Sequence, residues 1–217
     1  GSLGLSFGKY LPQKIHQSVL SGMGLFTAVI GIQMFLKTEN AIIVLGGLLI
    51  GCILGEWWRI EDGLKALGAW MEKKFTKTTA DKDSPDSLFI KGFLTASLLF
   101  IIGPMAILGS IQDGLTGDYS LLAIKSVLDG FASLAFSSTL GIGVLFSSLP
   151  ILVYQGGITL LAEQAQKFVT PDMMNEMTAT GGVLLVAIAV SNLLQIKQIR
   201  VGNFLPALAV SPVIVYI

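Results

Sequence analysis

Residues 40–58 read NAIIVLGGLLIGCILGEWW. From Ala41 to Gly55 no side chain is charged, and the stretch approaches the ~20 apolar residues that cross a bilayer as one helix. Gly47, Gly51 and Gly55 recur at every fourth position, so one face of that helix is bare and a neighbouring backbone can come close. Such a face serves packing within the chain or between copies, which leaves a homo-oligomer open. Trp57 and Trp58 end the stretch, where amphipathic rings sit at headgroup level.

Outward from this segment, six more approach spanning length: 17–36, 88–111, 119–140, 142–162, 178–195 and 202–217. The expected fold is therefore an all-α, polytopic transmembrane bundle of about seven spans. "LGLSFG" (3–8) reads as the tail of another helix, which would make eight. Composition agrees: of 217 residues, 53% are hydrophobic and 13% charged, with a mean hydropathy of +0.75, against ~25% charged in soluble domains. A net charge of zero, without a basic tract, gives no footprint for nucleic acid. Cys52 is the single cysteine and His16 the single histidine, so a disulfide framework, a zinc site and serine–histidine chemistry lack material. No metal, no cofactor and no enzymatic activity are expected. An Asp113–Asp129 acid–base dyad is disfavoured, because Asp113 lies at the membrane edge and neither residue sits in a GxGD setting.

Apart from Lys37, Lys125 and Lys167, the 14 basic residues fall on one side of the alternating path. The positive-inside rule then puts 59–87 in the cytoplasm and the C-terminus outside. Within "IEDGLKALGAWMEKKF" (60–75), Ile60, Leu64, Leu67, Met71 and Phe75 share a helical face, as in a helix lying along the inner leaflet. "TKTTADKDSPDS" (76–87) reads as a linker. The chain thus divides into N-terminal membrane helices (1–58), a cytoplasmic amphipathic helix and linker (59–87), and C-terminal membrane helices (88–217), together one integral membrane domain.

"GLFTAVIGIQMFL" (24–36) aligns with "GVLLVAIAVSNLL" (182–194), each followed by a polar loop, an asparagine (Asn40, Asn203) and another apolar helix. Because the two pairs run in opposite senses, they suggest an inverted repeat of the kind found in secondary transporters. The other reading is that any two apolar hairpins align this well, with both asparagines acting as helix caps.

Gly103–Pro104 interrupts the third segment, since proline removes an amide donor and displaces a carbonyl. Further breaks are expected at Gly141 and Pro150. Between them lies the charged exception, "IKSVLDGFASLAF" (124–136). If its helix starts near 119, Asp129 is about ten residues in, or ~15 Å, close to the midplane. Lys125 is one turn away, and Asp129, Ser133 and Ser137 continue one polar stripe. A carboxylate at the bilayer centre costs ~3 kcal/mol or more, which marks a functional site by default. The alternative is a structural ion pair locking two helices. Thr178 and Thr180 either reach a cavity or hydrogen-bond between helices.

"GPMAILGSIQDGLTGD" (103–118), "KSVLDGFASLAFSSTLGIGVLFSSLP" (125–150), "YQGG" (154–157), "TATGG" (178–182) and "IRVGNFLPAL" (199–208) together resemble the bacterial membrane-protein family catalogued as domain of unknown function 554. The resemblance covers nearly the whole chain. It implies a polytopic plasma-membrane protein, often described as a transporter, with one more apolar helix at the start.

The expected function is a secondary transporter or ion-translocating protein for a small solute or cation in the bilayer. Its cavity, among the third to fifth segments, is lined by Asp129, Lys125, Ser133 and Ser137, with Gln112 and Asp113 near the outer mouth and Gln155 opposite. The alternative is a non-transporting scaffold or sensor subunit with a dry Lys125–Asp129 pair, docking through its glycine face and residues 59–87.

Overall fold

The computed structural model describes residues 13–75, 87–166 and 170–216. The expected helix tail at 3–8 and the linker at 76–87, except Ser87, lie outside them. The elements are α1 (Gln13–Phe35), α2 (Ala41–Trp58), α3 (Ile60–Phe75), α4 (Leu88–Ile101), α5 (Pro104–Thr116), α6 (Ser120–Leu140), α7 (Gly143–Phe146), α8 (Ser148–Leu160), α9 (Ala162–Gln166), α10 (Pro171–Ile188) and α11 (Ala207–Tyr216). A π turn at Ala189–Leu193 extends α10, and a 3₁₀ turn at Val201–Phe204 precedes α11.

The protein is an all-α helix bundle. Among the described residues, five helices are long and apolar enough to cross a membrane: Gln17–Phe35, Ala41–Trp58, Ser120–Leu140, Gly143–Leu160 and Pro171–Leu193. The remaining two expected spans differ from the sequence reading. Leu88–Ile101 and Pro104–Thr116 form a pair bent by 62°, and the last segment is a shorter apolar helix, Val201–Val215. Proline causes the bend, because Pro104 opens α5 at its first position while Gly103 turns extended (φ −103°, ψ 139°). Gly141 ends α6 with φ 77°, a conformation that suits glycine. The interruption expected at Pro150 falls at Ser147 instead. Pro150 occupies the first turn of α8, where an amide N–H has no intrahelical partner.

α10 is the central helix: 67% of its span is buried, against 17–22% for the other four. It packs against α1, and α2 packs against α11. Both pairs are antiparallel. Gly24 faces Leu194 and Gly31 faces Gly182, while Gly47, Gly51 and Gly55 meet Ser211, Ala207 and Asn203 in turn. The bare glycine face of α2 is therefore filled within the chain. Each hairpin turns at the opposite end from its counterpart, the geometry of an inverted-topology repeat.

Two buried glutamates close these hairpins. Glu176 of α10 accepts hydrogen bonds from Thr38 Oγ1 (2.6 Å), Glu39 N (2.9 Å) and Asn40 N (3.3 Å) at the α1–α2 turn. At the other end Glu61 Oε2 accepts from Gly202 N (3.1 Å), and Glu61 N donates to Asn203 Oδ1 (2.8 Å). Asn40 caps its own helix by accepting from Ile42 N, whereas Asn203 caps the first turn of α3. Thr170 caps α10 through Met173 N.

Chain direction alternates between two ends. One carries α3, the start of α4 and the loop after α10, together with Lys14, Arg59, Lys65, Lys73, Lys74, Lys91, Lys197 and Arg200. This basic end is tied together by Arg200, which bonds Glu56 (3.1 Å) and Asp62. Leu64, Leu67 and Met71 of α3 pack on Phe89, Ile90, Phe93 and Leu94 of α4. The apolar face of α3 is thus largely taken up by the protein, leaving Trp70 and Phe75 exposed.

Candidate cation site between α6 and α8

A cavity of about 370 Å³ lies between α6 and the α7–α8 pair, with Phe100 of α4 contributing to its wall. Lys125, Asp129, Ser133 and Gln155 line it, joined by Ser126, Ser147 and Ser148. Exposed Ser126, Gly130 and Leu152 form part of this lining, so the cavity opens on the flank of the bundle. A larger cleft of about 730 Å³, lined mainly by apolar side chains and including Trp58, Tyr154 and Pro206, offers little to hold a charge.

Lys125 and Asp129 pair through Nζ and Oδ2 along one helix, so the pair does not bolt two helices together. Lys125 is the deeper partner, its side chain 8% exposed against 29% for Asp129, and its ammonium lies 6.0 Å from the Phe100 ring centroid. That contact and the carboxylate offset the cost of burying the cation. Asp129 faces the cavity.

The serine hydroxyls share one kind of partner, a backbone carbonyl three or four residues earlier. Ser126 donates to Leu122 O (2.8 Å) one turn back on α6, while Ser147 and Ser148, at the α7–α8 junction, donate to Val144 O (2.7 Å) and Leu145 O (2.9 Å) of α7. Ser133 likewise donates to Gly130 O (2.8 Å). A hydroxyl whose proton is committed to its helix offers the cavity lone pairs. The Gln155 Nε2 is buried without a hydrogen-bond partner among the described residues.

Three expected site residues lie elsewhere. Ser137 is buried near the far end of α6 and donates to Leu134 O (3.2 Å). Gln112 Nε2 donates to Asp118 Oδ2 (2.6 Å), and Asp118 Oδ1 also accepts from Ser120 N and Oγ. These Ser120 bonds, with help from Gln112, hold the Asp118 carboxyl below its usual range. Asp113 sits on α5, where its carbonyl accepts from Gly117 N. The polar group expected at a cavity mouth is therefore a turn that starts α6. Thr180 bonds Ser211 between helices (2.7 Å), and Thr178 lines a small gap beside Gly103 and Pro104. Among the described residues, no three of His, Cys, Asp and Glu come together as metal ligands.

The family described as "Protein of unknown function (DUF554)" matches residues 1–216. The chain belongs to the DUF554 family. It is 34% identical over 208 residues to the uncharacterized protein YqgA of Escherichia coli strain K12, covering 96% of this chain and 87% of that one. It is 30% identical over 219 residues to the uncharacterized membrane protein YdfK of Bacillus subtilis strain 168, covering 99% and 90%. No solved structure matches the chain. This DUF554 chain is accordingly a membrane protein, with several apolar helices of spanning length.

Ser147 and Ser148 are among the cavity residues that sequence reasoning passed over. Their signal was the "SSLP" of 147–150, hydroxyls at a helix start beside a proline.

Proposed function

We propose that this chain is a secondary transporter or ion-translocating protein of the bacterial plasma membrane, in which Asp129 binds a monovalent cation or a proton. The observation that carries the proposal is the cavity beside Asp129, whose lining also includes Ser126, Ser147 and Ser148, their hydroxyl protons given to backbone carbonyls and their oxygens left as acceptors. Cations are held by such oxygens, and because a carboxylate at membrane depth is expensive, one found there marks a functional site by default. Lys125 competes with the cargo for Asp129, providing an internal counter-charge when the cargo leaves.

The basic end faces the cytoplasm, following the positive-inside rule. The partners are the bilayer and a small solute or cation, not nucleic acid, and the cargo undergoes no chemical conversion. Against a scaffold role stands the filling of the α2 glycine face by α11.

The test is cation and proton flux in proteoliposomes. Asp129→Asn alone leaves the Lys125 ammonium buried without its carboxylate, at a cost of about 3–5 kcal/mol. Lys125→Met combined with Asp129→Asn removes that cost. Flux is expected to vanish in both variants, with stability lost only in the single one. Normal flux in the folded double variant would sink the proposal.

A further inference from the structure

At the basic end a second recess lies between α3, α4 and the loop that follows the π turn, separate from the cavity at Asp129. It holds about 50 Å³, several times the ~10–15 Å³ that one water requires. Local backbone distortion builds it. α10 widens into the π turn at Ala189–Leu193, and Gln195 takes a left-handed backbone (φ 55°). Ser191 Oγ then pins the returning loop by accepting from Ile199 N (3.0 Å) and donating to Ile199 O (3.2 Å). π turns often mark functional sites, and a non-glycine residue at positive φ is uncommon.

The polar walls are rich in donors. Lys65, Lys91, Gln195 and Gln198 line the recess with Glu61 and Asn192. Both Glu61 oxygens are engaged, Oε1 by Lys65 Nζ (2.7 Å) and Oε2 by Gly202 N (3.1 Å). The Asn192 amide donates to Thr95 (3.0 Å). Two ammoniums against one carboxylate leave a net positive charge, and an ammonium can only donate. We infer that this recess binds a phosphate-class oxyanion, held by Lys91 and Lys65 with the Gln195 and Gln198 amides. Its place at the basic end of a membrane bundle allows two sources: the headgroup of an anionic phospholipid, or free phosphate.

The purified chain in neutral detergent is titrated with inorganic phosphate by calorimetry. In parallel, retention of phosphatidylglycerol against phosphatidylcholine is read by native mass spectrometry. Saturable binding in the first arm assigns a soluble anion, and selective retention in the second assigns a lipid headgroup. Lys91→Gln should weaken whichever binding is seen by about tenfold or more. Gln198→Ala, on an exposed side chain, should weaken it less, and it carries the comparison if Lys91→Gln does not elute as a folded species. Lys74→Gln, whose ammonium lies over Trp70 outside the recess, should leave binding unchanged. The inference is overturned if neither ligand binds, or if the recess variants that fold bind like the parent chain.

Discussion

Replacing Glu176 with alanine removes the acceptor that closes the α1–α2 hairpin onto α10. The carboxylate is 3% exposed and receives Thr38 Oγ1 at 2.6 Å and Glu39 N at 2.9 Å. Hydrogen bonds to a charged group contribute ~1.5–3 kcal/mol each. Asn40 N, at 3.3 Å, lies beyond the ~2.9–3.0 Å mode for N–H···O bonds and adds little. Because Glu39 and Asn40 are exposed, water can replace the carboxylate at their amides, so the Glu39 bond counts at the low end of that range. With ~2 kcal/mol for Thr38, the expected loss for Glu176→Ala is about 3–4 kcal/mol. Glu176→Gln keeps one acceptor but no charge and should lose about 1–2 kcal/mol. The assay is unfolding in mixed detergent micelles containing dodecyl sulfate, followed by the fluorescence of Trp57, Trp58 and Trp70. A cycle with Thr38→Val should return a coupling of ~1–2 kcal/mol. An alanine variant within about 1 kcal/mol of the parent, or no coupling to Thr38, would refute the reasoning.

Gly51→Val places a Cβ 2.5 Å from Ala207 Cα and 2.7 Å from its Cβ, so α2 and α11 must separate. The expected cost is ~1–3 kcal/mol or more, read as a loss of the monodisperse peak in size-exclusion chromatography. Gly63→Ala meets nothing within 4 Å on the exposed side of α3 and should instead gain ~0.5–1 kcal/mol. Asp62, outside the spans, is held below the usual carboxylate range, first by the Arg200 hydrogen bond and then by Arg59. A carboxylate with a lowered folded-state pKa stabilises the fold above its unfolded pKa, and that contribution is lost as pH falls through the folded value. Thermal unfolding from neutral to acid pH should therefore fall less steeply in Asp62→Asn than in the parent chain.

Much of the architecture was legible because membrane helices announce themselves by composition. An apolar run such as 41–58 has few alternatives in lipid, and Gly103–Pro104 breaks a helix through its own covalent geometry. The last segment was harder to read. Hydropathy counts apolar residues but does not see that Val201–Phe204 is drawn into a 3₁₀ turn against Glu61. Asn203 is a cap, one of the two readings its sequence allows, but the helix it serves is α3, far away in sequence. Nothing in "PDMMNEMT" shows that the 38–40 turn comes to meet Glu176.

At the candidate site, the Lys125–Asp129 pair followed from i, i+4 spacing alone, which any helix enforces. The same stripe carried Ser137 into a buried part of α6, while Ser147, Ser148 and Gln155 came to the cavity from across the gap. Sequence by itself determined where most of the apolar helices lie, that Gly103–Pro104 and Gly141 break them, and which residues share a face. Only the tertiary structure decided which faces meet. A helix fixes the angles between its own side chains, but its rotation and its choice of neighbour are set by packing against the rest of the chain.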